Sequence, residues 1–142
     1  MIPYFTTSRY RVEAMIELAK PGKNDLGVDL GSGDGRIVIA FAKKGVEMLG
    51  IELDETLLVS SRKLIIENKL SSARIEAKNI WDVDLSPFDI ITIYPMPDVL
   101  EELEIKLRNE AKKGAKILTN YYPLPTWELT TTKDHIYLYI KT

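Results

Sequence analysis

Cysteine is absent from this 142-residue chain, and histidine occurs once, as His135. That excludes disulfides, thiolate metal sites, a cysteine nucleophile and a histidine-based metal cluster, so no metal is expected. No apolar run approaches membrane-spanning length, and Met1-Ile2-Pro3-Tyr4 does not look like a signal peptide. The expectation is therefore no membrane segment and a cytoplasmic setting. Neither sign of charge dominates: 19 Lys and Arg stand against 21 Asp and Glu, a net charge of −2. Without a basic surplus, nucleic acid is not the expected partner. The length and a hydrophobic content of 45% fit one domain, residues 1–142, with a real core. No repeat, linker or low-complexity stretch divides it.

What is present centres on Val28-Asp29-Leu30-Gly31-Ser32-Gly33-Asp34-Gly35-Arg36. A short apolar run ends at Leu30, and three glycines follow at alternate positions. From Arg36 the apolar residues Ile37, Ile39, Ala40 and Phe41 fall at helical spacing. The unit reads as strand, glycine turn, helix. Glycine takes positive φ cheaply and lets a ligand lie against backbone, and the N–H groups of a helix start point into the same space. A second strand, about Glu47 to Leu53, carries Glu52 near its end, 21 residues after Gly31. An acid at that spacing can accept both hydroxyls of an adenosine ribose. A dinucleotide site wants its third glycine at the sixth position, where this chain has Arg36.

The remaining pattern alternates. A helix capped by Thr7 or Ser8 carries Val12, Met15, Ile16 and Ala19 on one face. Asp54 is placed to cap a helix with Leu57, Leu58, Leu64 and Ile65 inward, and Asp98 another with Leu103 and Leu107 inward. Strands are expected at about Ala73–Lys78, Asp89–Tyr94 and Ala115–Asn120, and Trp127–Thr132 and Ile136–Lys141 read as a closing hairpin. The predicted fold is α/β: a mostly parallel seven-stranded sheet with helices on both faces and a C-terminal antiparallel hairpin. Ligands in such sheets bind beyond the carboxyl ends of the strands.

The pattern Asp-x-Gly-x-Gly-x-Gly resembles motif I of the class I S-adenosylmethionine-dependent methyltransferases, which are Rossmann-like. More narrowly, the chain resembles the archaeal broad-specificity protein-lysine methyltransferases and their mitochondrial relatives that act on the c-ring protein of the ATP synthase. Pro3-Tyr4-Phe5-Thr6-Thr7, Asp29 to Ala40, Asn79-Ile80-Trp81 and Tyr122-Pro123-Leu124-Pro125-Thr126-Trp127 carry that likeness. The chain departs from the family at Thr6, where proline is frequent, and at Asn79, where aspartate stands.

The resemblance implies S-adenosyl-L-methionine as cofactor and a protein lysine as acceptor. It implies cofactor contacts from Tyr4, Thr7, Asp29, Gly31, Ser32, Gly33, Asp34, Gly35, Glu52, Leu53, Asn79, Ile80, Trp81 and Tyr94. Asp29 would hold the methionine ammonium, Glu52 the ribose, and Asn79 and Ile80 the adenine. Asp34 could equally cap the helix, and Trp81 could equally be core. Tyr4 and Tyr94 are the candidate catalytic residues, orienting an amine that loses its proton to water. Tyr94, Tyr121, Tyr122 and Trp127 are expected near one rim. Tyr94-Pro95-Met96-Pro97 lacks the Asn/Asp-Pro-Pro-Tyr of many base-amino methyltransferases. A small-molecule or RNA methyltransferase, and a non-catalytic cofactor-binding module, are the alternatives. Oligomeric state is left open.

Overall fold

The computed structural model describes residues 7–142. Seven strands form one sheet in the order β3-β2-β1-β4-β5-β7-β6. They are β1 (Leu26–Leu30), β2 (Glu47–Glu52), β3 (Ala73–Ala77), β4 (Ile90–Ile93), β5 (Lys116–Asn120), β6 (Thr131–Lys133) and β7 (Ile136–Ile140). The first five run parallel; β7 is antiparallel to β5, and β6 to β7. Strand order reverses at β1, which has β2 on one side and β4 on the other. Such a reversal opens a crevice beyond the strands' carboxyl ends.

Four helices complete the fold: α1 (Arg9–Ala19), α2 (Arg36–Ala42), α3 (Glu55–Glu67) and α4 (Leu100–Glu110). One core cluster joins Met15, Phe41, Leu58 and Ile65, so α1, α2 and α3 share a face of the sheet. The other joins Leu85, Phe88, Leu103 and Leu107, so α4 covers the opposite face. Ile90 through Ile93 are all buried, as a central strand covered on both faces requires.

Caps explain several boundaries. Ser8 accepts from the Arg11 amide and opens α1; Asp54 accepts from the Leu57 amide and opens α3. Asp98 does not cap α4. Pro97 starts a 3-10 turn over Pro97–Val99, Asp98 lies inside it, and the α-helix begins only at Leu100. Within α3, Ser61 is buried while Leu64 is exposed, so the inward stripe lies one position from that expected.

The last strand pair is shorter than expected. Thr126 leaves the sheet direction because its amide and hydroxyl both donate to Glu104, at 2.9 and 2.6 Å. Pairing therefore begins only near Thr131. The hairpin turn is Asp134-His135, with φ of 49° and 63°, two left-handed residues as a tight two-residue turn demands.

Candidate functional site

A cavity of about 450 Å³ lies beyond the carboxyl ends of β1, β2 and β4. The turn after β1 is its floor. The Gly31 and Ser32 amides both donate to the Ile51 carbonyl, at 2.9 and 2.8 Å, which ties the turn to β2. Gly31 has φ 80°, and a Cβ built there would meet no atom within 4 Å. Its backbone is therefore bare toward the cavity. Gly35 behaves differently: a Cβ there would lie 3.0 Å from Ser61 Cβ. It serves the close approach of α3 and does not line the cavity, although the motif predicts cofactor contact from it.

Glu52 stands at the end of β2 and accepts three amides. Gly33 donates to Oε1 at 2.8 Å, and Leu53 and Asp54 donate to Oε2 at 3.0 Å each. The spacing of 21 residues thus has a structural use in the chain itself. The carboxylate keeps lone pairs for further donors, because two oxygens offer about four acceptor sites.

Asp29 is buried, and Thr92 Oγ1 donates to its Oδ1 at 2.8 Å. Burial pushes its carboxyl up to about 7; the Thr92 hydrogen bond opposes this, and the nearby Glu52 and Asp34 add to it. A cationic group arriving in the cavity would reverse that penalty. Asp34 faces Arg36, whose Nε donates to both its oxygens at 3.1 and 3.0 Å. The Arg36 amide also donates to Asp34 at 3.1 Å, so Asp34 does serve the helix start.

Asn79 Oδ1 accepts from the Trp81 amide at 3.0 Å and starts a 3-10 turn over Ile80–Asp82. Ile80 and Trp81 line the cavity and also pack on the α4-side core, so Trp81 is both a wall of the site and a core residue. Ser32 lines the cavity, but its buried Oγ lies against Gly50, where a Cβ would come within 2.7 Å.

Thr7 closes the cavity from the segment before α1. Its hydroxyl accepts from Asn120 Nδ2 at 2.8 Å, and its carbonyl accepts from Arg36 Nη1 at 2.9 Å. Arg11 Nη1 donates to Asn120 Oδ1 at 3.0 Å, completing the tie between α1, β5 and the glycine turn.

The cavity unites Thr7, Asp29, Gly31, Ser32, Gly33, Asp34, Glu52, Leu53, Asn79, Ile80, Trp81 and Tyr94, all expected site residues. Tyr4 lies outside the described residues. The aromatic rim is smaller than expected. Tyr94 and Tyr122 approach to 6.4 Å between ring centroids, and Tyr122 meets Tyr121 edge-on at 5.1 Å. Trp127 instead packs against Tyr139 and beneath the Arg108 guanidinium, which lies 4.5 Å from its ring. Lining residues that sequence reasoning placed elsewhere are Leu57, expected as core, and Asp98, expected as a cap. A larger groove of about 890 Å³ runs between α1 and α2, but none of its lining residues is buried.

Comparison with known proteins agrees with this geometry. The ANTKMT methyltransferase domain matches residues 29–131. The lysine N-methyltransferase of Homo sapiens that acts on the c-ring protein of the ATP synthase is 33% identical over 136 residues, 95% of this chain and 56% of that protein. The chain thus spans little more than half of that longer relative. A protein-lysine N-methyltransferase of Saccharolobus islandicus (strain REY15A) is 30% identical over 98% of this chain and 93% of its own length. Among solved structures, an RNA methyltransferase of Salinibacter ruber in complex with S-adenosyl-L-homocysteine superposes with a TM-score of 0.90 at 29% identity, covering 96% of this chain and 93% of that one. A match across well over half of the chain, with relatives aligned along nearly all of it, decides its kinship: the chain belongs to the ANTKMT methyltransferase domain family.

Proposed function

We propose that this chain is an S-adenosylmethionine-dependent protein-lysine N-methyltransferase. The observation that carries the reading is the charge of the cavity. Asp29, Asp34, Glu52, Asp54 and Asp98 line it, against Arg36 and Lys78. A concave wall with an excess of carboxylates concentrates cations. Both the proposed cofactor, a sulfonium with an ammonium, and a lysine side chain are cationic. A phosphodiester backbone is repelled there.

The residues present fit the cofactor. The volume falls within the range of about 300–1,000 Å³ usual for ligand cavities. The bare Gly31 backbone leaves space that any side chain would fill. In this reading Asp29 holds the cofactor ammonium, Glu52 the ribose hydroxyls through its remaining lone pairs, and Asn79 and Ile80 the adenine. Thr7, Leu53 and Trp81 close the walls. When bound, S-adenosylmethionine supplies a methyl group whose C–S bond breaks as the lysine Nζ–C bond forms, leaving a neutral thioether.

The chain's own part is alignment and desolvation. A free lysine has a pKa of about 10.4 and must lose a proton before attack. Removing the ammonium from water favours the neutral amine. The proton passes to water, and Tyr94 and Tyr4 orient the amine. The lysine-methyltransferase names of the human and archaeal relatives support this acceptor.

A second reading, RNA methylation, is favoured by the description of the Salinibacter ruber structure. The carboxylate-rich cavity and the net charge of −2 weigh against it. Methyl transfer from labelled cofactor to a lysine-rich protein and to unmodified RNA, assayed side by side, separates the two. Label on lysine supports the proposal; label on RNA alone overturns it.

A further inference from the structure

We propose that Asp98 captures the ammonium of the incoming lysine and so selects a cationic acceptor. The inference rests on the lysine reading above and adds to it the residue that recognises the substrate.

The five carboxylates of the cavity differ in what they already hold. Asp29 accepts from Thr92, Asp34 from Arg36, Asp54 from the Leu57 amide, and Glu52 from three amides. Each therefore spends part of its accepting capacity on the fold. Asp98 has no hydrogen bond or ion pair among the described residues. A carboxylate that helps to line a cavity while serving no contact of the chain is available to a ligand.

Local structure explains its freedom. Aspartate at a helix start ordinarily folds its side chain back onto the amides of the first turn. Here Pro97 opens a 3-10 turn one residue earlier, the Val99 amide bonds to the Met96 carbonyl at 3.1 Å, and Val99 precedes α4 with no side-chain cap. Asp98 sits within the turn, and its carboxylate is left exposed.

Its place in the fold fits the acceptor side. Tyr94, Pro95, Met96, Asp98 and Val99 reach the cavity together from the exit of β4. The groups assigned to ribose and adenine enter from β2 and β3. The Tyr94–Tyr122 pair adds aromatic faces at the same exit, and such faces attract an alkylammonium. Asp98 thus acts on capture. The bond-making step follows once the amine has given its proton to water, so Asp98 contributes to KM and not to kcat.

The test compares wild type, Asp98→Asn and Asp98→Glu on a lysine-rich protein, with RNA as a parallel acceptor. Expected for Asp98→Asn is a rise in KM of about tenfold, the loss of one charge-assisted contact, with kcat within about threefold. Asp98→Glu should recover most of the KM. Added salt should raise the wild-type KM and leave that of Asp98→Asn nearly flat. Calorimetry should give S-adenosylmethionine the same affinity for all three proteins, which also reports that they are folded. An unchanged KM in Asp98→Asn, with wild type methylating lysine, overturns the role of Asp98 and leaves the lysine reading standing. Loss of cofactor affinity in Asp98→Asn moves the residue to the cofactor side and overturns the proposal. Wild-type activity on RNA alone overturns both.

Discussion

The Glu52 carboxylate accepts the Gly33 amide at 2.8 Å and so joins the end of β2 to the turn that follows β1. Removing it does two things at once. Glu52→Ala leaves the Gly33, Leu53 and Asp54 amides without their acceptor, and it deletes the proposed ribose contact. We expect a stability loss of about 1–2 kcal/mol and a larger loss of cofactor affinity, at least about tenfold. Thermal unfolding with and without S-adenosylmethionine measures both. Full retention of the melting temperature contradicts the structural role, and unchanged affinity in the folded variant contradicts the ribose role.

Asp29 gives the apo domain a pH dependence. Its carboxyl holds its proton to about pH 7 in the folded state, against 3.8 as the unperturbed value. Between those values the native state binds more protons than the unfolded chain, so stability falls as pH rises from about 4 to about 7. Asp29→Asn should flatten that slope in denaturant titrations. The cofactor ammonium favours the carboxylate, so affinity for S-adenosylmethionine should rise with pH through about 7, with proton release on binding. Calorimetry in two buffers of different ionisation enthalpy counts those protons. Proton uptake on binding contradicts the assignment.

Glu104 anchors the Pro-Leu-Pro-Thr-Trp segment to α4. It is buried, and the Thr126 hydroxyl and amide hold its carboxyl below the usual range although burial pushes the other way. Its contribution is present above pH about 4.5 and is lost as pH falls further. Glu104→Ala should cost about 2–3 kcal/mol, because a charged acceptor of two hydrogen bonds disappears. Denaturant unfolding measures the loss. Cofactor affinity should not change, since Glu104 lies outside the cavity.

Asn79 carries two duties on one oxygen, the Trp81 amide and the proposed adenine amino group. Asn79→Asp supplies a second acceptor oxygen and should hold or improve cofactor affinity. Asn79→Leu loses the turn and the adenine contact and should weaken it by about tenfold or more. Equal affinity for the two variants moves adenine recognition to backbone groups.

The parts of this protein that follow a period or a fixed spacing are legible in its sequence. Asp29 to Gly35 and the acid 21 residues after Gly31 place the cavity, and the alternation of strands and helices yields the sheet. What escapes is decided by contacts between distant residues. Trp127 and Leu129 alternate as strand residues should, yet the hold of Glu104 on Thr126 and of Arg108 on Trp127 draws that stretch off the sheet. Gly35 belongs to the glycine motif by pattern but faces Ser61 on α3, a residue that spacing places on no face of interest. Asp98 has the ordinary profile of a cap, and only the 3-10 turn begun by Pro97 shows it to be free for a ligand.

The central claim is that the acceptor is a protein lysine. Single-turnover methylation of a lysine-rich protein with labelled S-adenosylmethionine, followed across a pH series and read by mass spectrometry, tests it most directly. No strong base lines the cavity among the described residues, so the rate should rise with pH until the bound amine is neutral. The account predicts methyl groups on lysine side chains, a rising pH profile, and no label on RNA or on a peptide whose only cations are arginines. Label on RNA with none on lysine contradicts it.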